Sequence, residues 1–476
     1  MHDDILYDVA IVGGGPAGLF AAKHLLENAD GLRVLLLDKG LGAERPGCPA
    51  NESGCVDCRT CTVISGLGGA GLYSDGKLIL NLGAGGYIQE FTNLSIEEQA
   101  SLVNDVCNTL LEFDGMSERG PSLSLDRQGE VASLFQANGF FIKLHDVLHV
   151  GTYNLARMTK RLVDFLQAPS DGFKSSLRIV TRSEVLAIQQ HGDHFLLPTK
   201  RQTWRARKVI FAAGKSGAPQ LRPQLETLGV KTLDRPVWAG VRVEVPWAVV
   251  RELLAISFDP KISKSDARGR VKTHCFSRDG GLLILQHRGT TLVGGHSRYT
   301  EANVALGQVV RQPRLASFNL LASRYMDQAT IDQMLGCFIK TVGSAVAVQD
   351  MKSFLDASSP LTHRKIKLND GVYGRTADIR AILDHYGGIG ESIADFVKAL
   401  DKMYPGIAGP NSRIIAPALE WDFGSVEVDS HMETSVTGLY AVGDGAGLSQ
   451  GIVHAAATGL VAAQHLSSGR ATTESS

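Results

Sequence analysis

Apolar residues recur along the chain with two different periods, and the changes of period mark out the elements. Val9 to Val12 is a short, largely β-branched apolar run after Asp8, the pattern of a strand buried on both faces. Leu19 to Leu26 reads as a helix, and Arg33 to Leu37 (RVLLL) as a second strand. Ile96 to Phe113 and Asp126 to Gly139 carry helical periodicity with charged outer faces. Tyr153 to Gln167 predicts a third helix, entered from His149-Val150-Gly151-Thr152. Leu177 to Ile188 predicts a strand, and Phe195 to Leu197 with Thr203 to Phe211 the rest of a small β-meander. That meander ends in the small-residue turn Ala212-Ala213-Gly214.

After Pro236 the pattern changes. Ala239 to Val245, Arg270 to Phe276, Leu282 to Gln286 and Thr291 to Gly294 read as strands of an antiparallel sheet. Leu315 to Cys337 reads as mostly helical, and Ala377 to Met403 as further helices. The first architecture resumes with a short strand ending at Gly443-Asp444 and an Ala-rich helix over Gly451 to Leu466. The predicted organisation is α/β: a first domain over 1–235, an inserted domain over 236–404, the first domain again over 405–466, and a polar, disordered tail over 467–476. No tandem repeat is present.

The first strand runs into Gly13-Gly14-Gly15-Pro16-Ala17-Gly18, which fits G-x-G-x-x-G. Gly13 permits the tight turn, Gly15 lets backbone approach a pyrophosphate, and Gly18 lets helix pack on strand. The helix that opens here aims free N–H groups at phosphate. Asp38 ends the second strand, where an acid should grip a ribose hydroxyl. The plainer alternative, a glycine-rich turn with no ligand, loses weight from this context. Further on, Gly66 to Lys77 (GLGGAGLYSDGK) has five glycines in twelve residues, which suits backbone passing close to a ligand and also a flexible surface loop.

Composition adds bounds. With 476 residues, 44% hydrophobic and 20% charged, the chain has core for two or three domains. A formal net charge of −1 argues against a general nucleic-acid-binding role. The longest apolar runs fall short of a membrane span, and MHDDILYD fits no signal peptide, so a cytoplasmic protein is expected.

The glycine fingerprint with Asp38, the strand ending in Ala-Ala-Gly, the inserted antiparallel sheet and the terminal GLYAVGDGAG stand in one order. Together they resemble the two-domain FAD fold of the glutathione-reductase and p-hydroxybenzoate-hydroxylase kind. More narrowly, ERPGCPANESGCVDCRTC and GLGGAGLYSDGKL resemble an uncharacterised bacterial family of FAD-dependent dehydrogenases. Thr273-His274-Cys275-Phe276 and Val293-Gly294-Gly295-His296-Ser297 are similar to that family's substrate-domain segments, whereas GDGAGLSQGIVHAAATG departs from its usual ending.

The resemblance implies a Rossmann-like FAD-binding domain, a parallel sheet plus β-meander, with an inserted α+β antiparallel-sheet substrate domain. It implies that Gly13, Gly15, Ala17 and Gly18 carry the pyrophosphate and that Asp38 meets the adenosine ribose. Val185 would touch adenine through its backbone. Lys39, Gly69, Ser74, Asp75, Ala213 and Gly214 would line the cofactor. Gly443 and Asp444 would sit by the ribityl chain and phosphates, and Gly451, Ile452 and Val453 would face the flavin edge where negative charge gathers in the reduced ring.

Four cysteines, Cys48, Cys55, Cys58 and Cys61, are spaced C-x6-C-x2-C-x2-C. Three readings stay open: a zinc or iron–sulfur site, a thiol/disulfide relay to the flavin, or inert thiols in a packed loop. The relay reading usually brings a second dinucleotide fingerprint, and Gly387-Gly388-Ile389-Gly390 lacks a preceding strand.

A flavin dehydrogenase or reductase moves hydride between flavin N5 and a small organic metabolite, while a side chain handles the accompanying proton. His296 is the first candidate for that proton, with Arg298 and Tyr299 beside it to hold a substrate group. His274 and Cys275 are second candidates. His454 stands one turn into the last helix, and Asp75 and Lys77 either face the flavin or pair with each other. Electrons would come from transient NAD(P)H, from substrate, or from a partner protein through the cysteines. Alternatives are a flavin monooxygenase, a non-catalytic binder on the same fold, and a flavin- and cysteine-dependent RNA-modifying enzyme.

Overall fold

The computed structural model describes residues 5–86, 88–113, 116–168, 172–297, 314–358, 364–422 and 424–468. Leu6–Val12 is flanked by Arg33–Leu37 on one side and Thr203–Phe211 on the other, both parallel to it. These strands are apolar on both faces because helices cover both faces, as parallel sheets require. Ser176–Val180 extends the sheet beyond Arg33–Leu37. Thr203–Phe211 does double service. Its first half pairs antiparallel with His194–Pro198 of the meander, and Val209 to Phe211 pair in parallel with Leu439–Ala441. The C-terminal segment is therefore stitched into the N-terminal sheet, which has seven strands among the described residues.

Helices Pro16–Asn28 and Ile452–Ser468 pack against each other beside this sheet. A side chain at Gly459 would collide with the Ala17 carbonyl, so glycine there sets how closely the two helices approach. Their N-termini come to the same edge of the sheet as the turn after Val12.

A second sheet, of nine strands among the described residues, carries most of the remaining core. Its centre is Val237–Pro246, paired antiparallel with Leu315–Arg324 along its whole length and with Arg413–Glu420 on the other side. Gly269–Ser277 and Lys261–Asp266 follow outward, and Phe141–Lys143 closes that edge. The one parallel pairing among its described strands joins Val346–Asp350 to Tyr373–Thr376. Arg413–Glu420 belongs to this sheet, so the chain after residue 404 completes it before returning to the first sheet.

Two expectations are corrected. Leu315 to Arg324 is a strand, and the helix begins only at Gln328. This strand is buried on both faces, so its apolar residues run together without alternation and imitate a helix in sequence. The strand expected over Leu177 to Ile188 stops at Val180, where Arg182 turns the chain with φ 53°. Ser467 and Ser468 end the last helix, while the rest of the tail expected to be disordered lies outside the described residues. No helix among the described residues is long and apolar enough to cross a membrane.

Candidate functional site

The turn after Leu6–Val12 is shaped by close contact. Gly13 has φ 113°, and a Cβ there would fall on the Ala212 carbonyl. A Cβ on Gly18 would fall on the Gly13 carbonyl. Gly15 differs: the nearest atom to its Cβ position is Gly69 Cα at 3.8 Å, an ordinary contact, so a side chain there would meet no clash within the protein. Helix Pro16–Asn28 starts from Gly15 with no side chain capping it, so its first-turn N–H groups are left for a ligand. Asp38 is held rigidly, its Oδ2 accepting from Gly14 N at 2.8 Å and its Oδ1 from Gly40 N at 2.7 Å. The glycine-rich segment lies against this turn, with Gly68 N donating to Gly14 O at 2.7 Å.

A cavity of about 240 Å³ opens here. Of the residues assigned to the cofactor from sequence, Gly13, Gly15, Ala17, Asp38, Gly69, Ser74, Asp75, Ala213, Gly214, Gly443, Asp444, Gly451 and Ile452 line it. Lys39 and Val185 line a small adjoining recess that shares Asp38 and Gly13. From Lys39 the recess widens into a surface cleft of about 500 Å³ with Arg59, Arg182, Lys200 and Arg201 on its walls. Gly18 and Val453 are spent on packing. Asp444 sits deep in the cavity, with Oδ1 accepting from the Ser449 hydroxyl at 3.0 Å. Burial pushes its carboxyl up to about 7, and Glu420 adds to the effect.

Opposite the glycine turn the cavity wall is ionic and buried. Asp75, Lys77, Asp259, Lys261, His274 and Cys275 line it together. Lys77 Nζ lies 2.7 Å from Asp75 Oδ2 and 3.9 Å from Asp259 Oδ1, and it also donates to the Phe276 carbonyl. Lys261 Nζ bonds Asp259 Oδ2 at 2.6 Å and reaches His274 Nδ1 at 3.3 Å. Burial opposes the Asp259 charge, but Lys261 and Lys77 overcome it and hold the carboxyl below its ordinary range. Burial, with Lys261 and Lys272 adding to it, drives His274 well below the ordinary imidazole value, so the ring is neutral. Cys275 Sγ donates to Asp75 Oδ2 at 3.4 Å, and burial next to that carboxylate pushes the thiol up to about 12.

Residues 11–47 match the NAD(P)-binding Rossmann-like domain. No curated protein matches the sequence. Among solved structures, glycine oxidase from Geobacillus kaustophilus aligns at 14% identity and a TM-score of 0.40, over 97% of this chain and 94% of that one. A variant of NikD, described as an unusual amino acid oxidase essential for nikkomycin biosynthesis, aligns at 13% and 0.39, over 98% and 95%. The tetracycline destructase Tet(51) aligns at 11% and 0.37, over 99% and 84%.

Other sequence candidates fall elsewhere. His296 does not line the cavity; it is buried against Asp370, Nε2 to Oδ2 2.9 Å, and its carbonyl accepts from Ser277. Arg298 and Tyr299 lie outside the described residues. His454 is buried beside Gly85, behind the cavity wall.

The metal reading of Cys48, Cys55, Cys58 and Cys61 gains no support from the structure. All four are free thiols, and no three His, Cys, Asp or Glu side chains among the described residues are placed to hold an ion. The loop's hydrogen bonds explain this. Cys55 N donates to Ser344 O just after helix Gln328–Val342, whereas Cys61 O accepts from Ser65 N in a turn leading back to the glycine segment.

Sequence reasoning missed Asp259, Lys261, Glu420 and Lys215. None sits in a motif; each reaches the cavity only through tertiary folding, as in the 3.2 Å pair between Lys215 Nζ and Glu420 Oε2.

Proposed function

We propose that this protein is an FAD-dependent oxidoreductase acting on a small organic molecule. The observation that carries the reading is one cavity framed by two glycine turns and the helix N-termini that follow them, the first without a side-chain cap, with a rigid acid at one end and a proton-bearing cluster at the other. The donor set suits a dinucleotide: free backbone N–H groups for a diphosphate, and Asp38 for a ribose hydroxyl. The space at Gly15 is the cradle that a Cβ would fill. A second helix N-terminus in the same cavity, after Gly451, supports a ligand longer than a mononucleotide.

Gly13, Gly15 and Ala17 would bind the diphosphate, Asp38 the adenosine ribose, and Gly443 with Asp444 the linking chain. The first turn of Ile452–Ser468 would face the ring. The flavin, when bound, supplies hydride acceptance and donation. The chain supplies the rest. Asp75, Lys77, Asp259 and Lys261 form a fixed, charge-balanced wall that orients a second molecule and keeps water out. Cys275 holds a proton at Sγ, and His274 holds one on its ring. With His296 out of the cavity, these two replace it as the groups that handle the substrate's proton and oxygen.

Purified protein titrated with FAD should take it up one to one, with a resolved visible flavin band that dithionite bleaches. Protein that stays colourless and leaves FAD fluorescence unchanged overturns the reading and favours a binder without a flavin.

A further inference from the structure

Strand Gly269–Ser277 breaks its own alternation at the cavity. Its pairing with Leu315–Arg324 is regular through His274↔Asn319 and then shifts register before Ser277. Within that irregularity Cys275 has φ 53°, a conformation a non-glycine side chain adopts only when its surroundings impose it. The buried Arg242 guanidinium pins the distortion by donating to the Cys275 carbonyl at 3.3 Å. The bulge lets two consecutive side chains, His274 and Cys275, reach the same cavity. A regular strand would point them to opposite faces.

The ring's two nitrogens are then distinguished. Lys261 Nζ stands 3.3 Å from Nδ1. An ammonium can only donate, so Nδ1 must accept, and in a neutral imidazole the proton is left on Nε2. Among the described residues Nε2 has no partner. We infer that His274 Nε2–H is a hydrogen-bond donor for the oxygen of a neutral carbonyl substrate, with Lys261 as the positioning residue that fixes its tautomer. This rests on the flavin reading, in that the molecule so held is the one that reacts in this cavity.

The charge balance selects a carbonyl over a carboxylate. Lys77 and Lys261 are already matched by Asp75 and Asp259. Every lysine among the described residues that line the cavity has a carboxylate partner, so a substrate carboxylate would add a negative charge without a cation to match it, and burying it unmatched is costly. A neutral carbonyl meets a donor at no such cost. Any negative charge that gathers on its oxygen during reaction is stabilised by a donor already in place. His274 is flanked by Lys261, Lys272, Lys77 and Asp259, and its neutral state across the working pH range keeps the donor constant.

Two measurements test this on the full chain carrying FAD. The first is nitrogen-15 NMR of the histidines, which reads the tautomer with or without flavin. His274 should give the neutral Nε2–H signature from pH 6 to 9 and lose it in Lys261→Met; an Nδ1–H or imidazolium signature overturns the proposal. The second is titration with cyclohex-2-enone, benzamide and benzoate, followed by the flavin band and by calorimetry. The neutral probes should bind more tightly than benzoate, and His274→Phe should weaken them by about tenfold while His274→Gln, which keeps an N–H, restores most of the loss. Preference for benzoate, no binding of either neutral probe, or equal binding in His274→Phe overturns it. Failure of FAD uptake would show separately, as colourless protein, and would count against the flavin reading.

Discussion

Lys77 Nζ lies 2.7 Å from Asp75 Oδ2 with a single glycine between them in the chain, and both side chains are almost entirely buried. Gly76, at φ 71°, makes the short span possible by turning the backbone against Gly151. The pair anchors the glycine-rich segment to the second sheet, because Lys77 also reaches Asp259 and the Phe276 carbonyl. Burial opposes the ammonium, yet Asp259 and Asp75 raise it above its ordinary value.

Replacing Lys77 with Met should therefore leave Asp75 buried without its cation. The expected cost is about 3–5 kcal/mol of stability, as for other buried pairs broken from one side. Urea denaturation of the variant checks it. The double change Lys77→Met with Asp75→Asn should recover most of the loss, since it removes the stranded charge as well.

The two glycines of the turn predict different failures. At Gly18 an added methyl would overlap the Gly13 carbonyl, so Gly18→Ala should lower stability and yield. At Gly15 the nearest atom is 3.8 Å from the Cβ position, so Gly15→Ala should fold with an unchanged melting temperature. It should nonetheless bind FAD at least about tenfold more weakly, a loss of ~1.4 kcal/mol, because the methyl takes the cofactor's space. Thermal melts of the apoprotein paired with FAD titrations separate the two effects.

How much of this was legible follows from what is local. The strand Arg33–Leu37, the strand Thr203–Phe211 and the turn at Gly13 to Gly18 stand where the pattern puts them, because short β-branched runs and glycine spacing report local geometry. Leu315–Arg324 misled because a strand covered on both faces has no alternation to read. The ionic wall was half visible. Asp75 and Lys77 sit in a glycine motif, but their partner Asp259 is far away in sequence and lies in no pattern. His296 drew attention from the glycine pair before it, and the fold gives that pair to a hairpin with Leu282–His287. The cavity takes the histidine of the other segment, His274, and a bulge that no residue type announces brings Cys275 in beside it.

The cysteines predict an order of reaction. Cys48 is exposed, while Cys107 is buried in the first core and burial pushes its thiol up to about 12. Thiolate character and access together set the rate. Maleimide labelling of native protein with peptide mapping should modify Cys48 first. Cys107 should react only after unfolding, and Cys275, half-buried on the cavity lining with its thiol pushed up to about 12, should react later than Cys48. Labelling of Cys107 in native protein would mean that the first core opens readily in solution.

Asp444 sets the pH dependence. Its carboxyl is raised to about 7 by burial and by Glu420, against the hydrogen bond from Ser449 and the charge of Lys215. In the unfolded chain it would titrate near the ordinary ~3.9. Between these values the folded state binds the extra proton, so this group's contribution to stability is full below ~3.9 and is lost as pH rises through about 7. A bound diphosphate would bring negative charge into the same cavity and favour the protonated form further. FAD binding then takes up a proton, and affinity should fall above pH 7 by at most about tenfold per pH unit. In Asp444→Asn the charge never appears, and the slope should vanish while affinity at pH 6 stays close to that of the parent. Fluorescence titrations with FAD from pH 6 to 9 measure both slopes. An unchanged slope in the variant would place the titrating group elsewhere and remove Asp444 from the cofactor's charge balance.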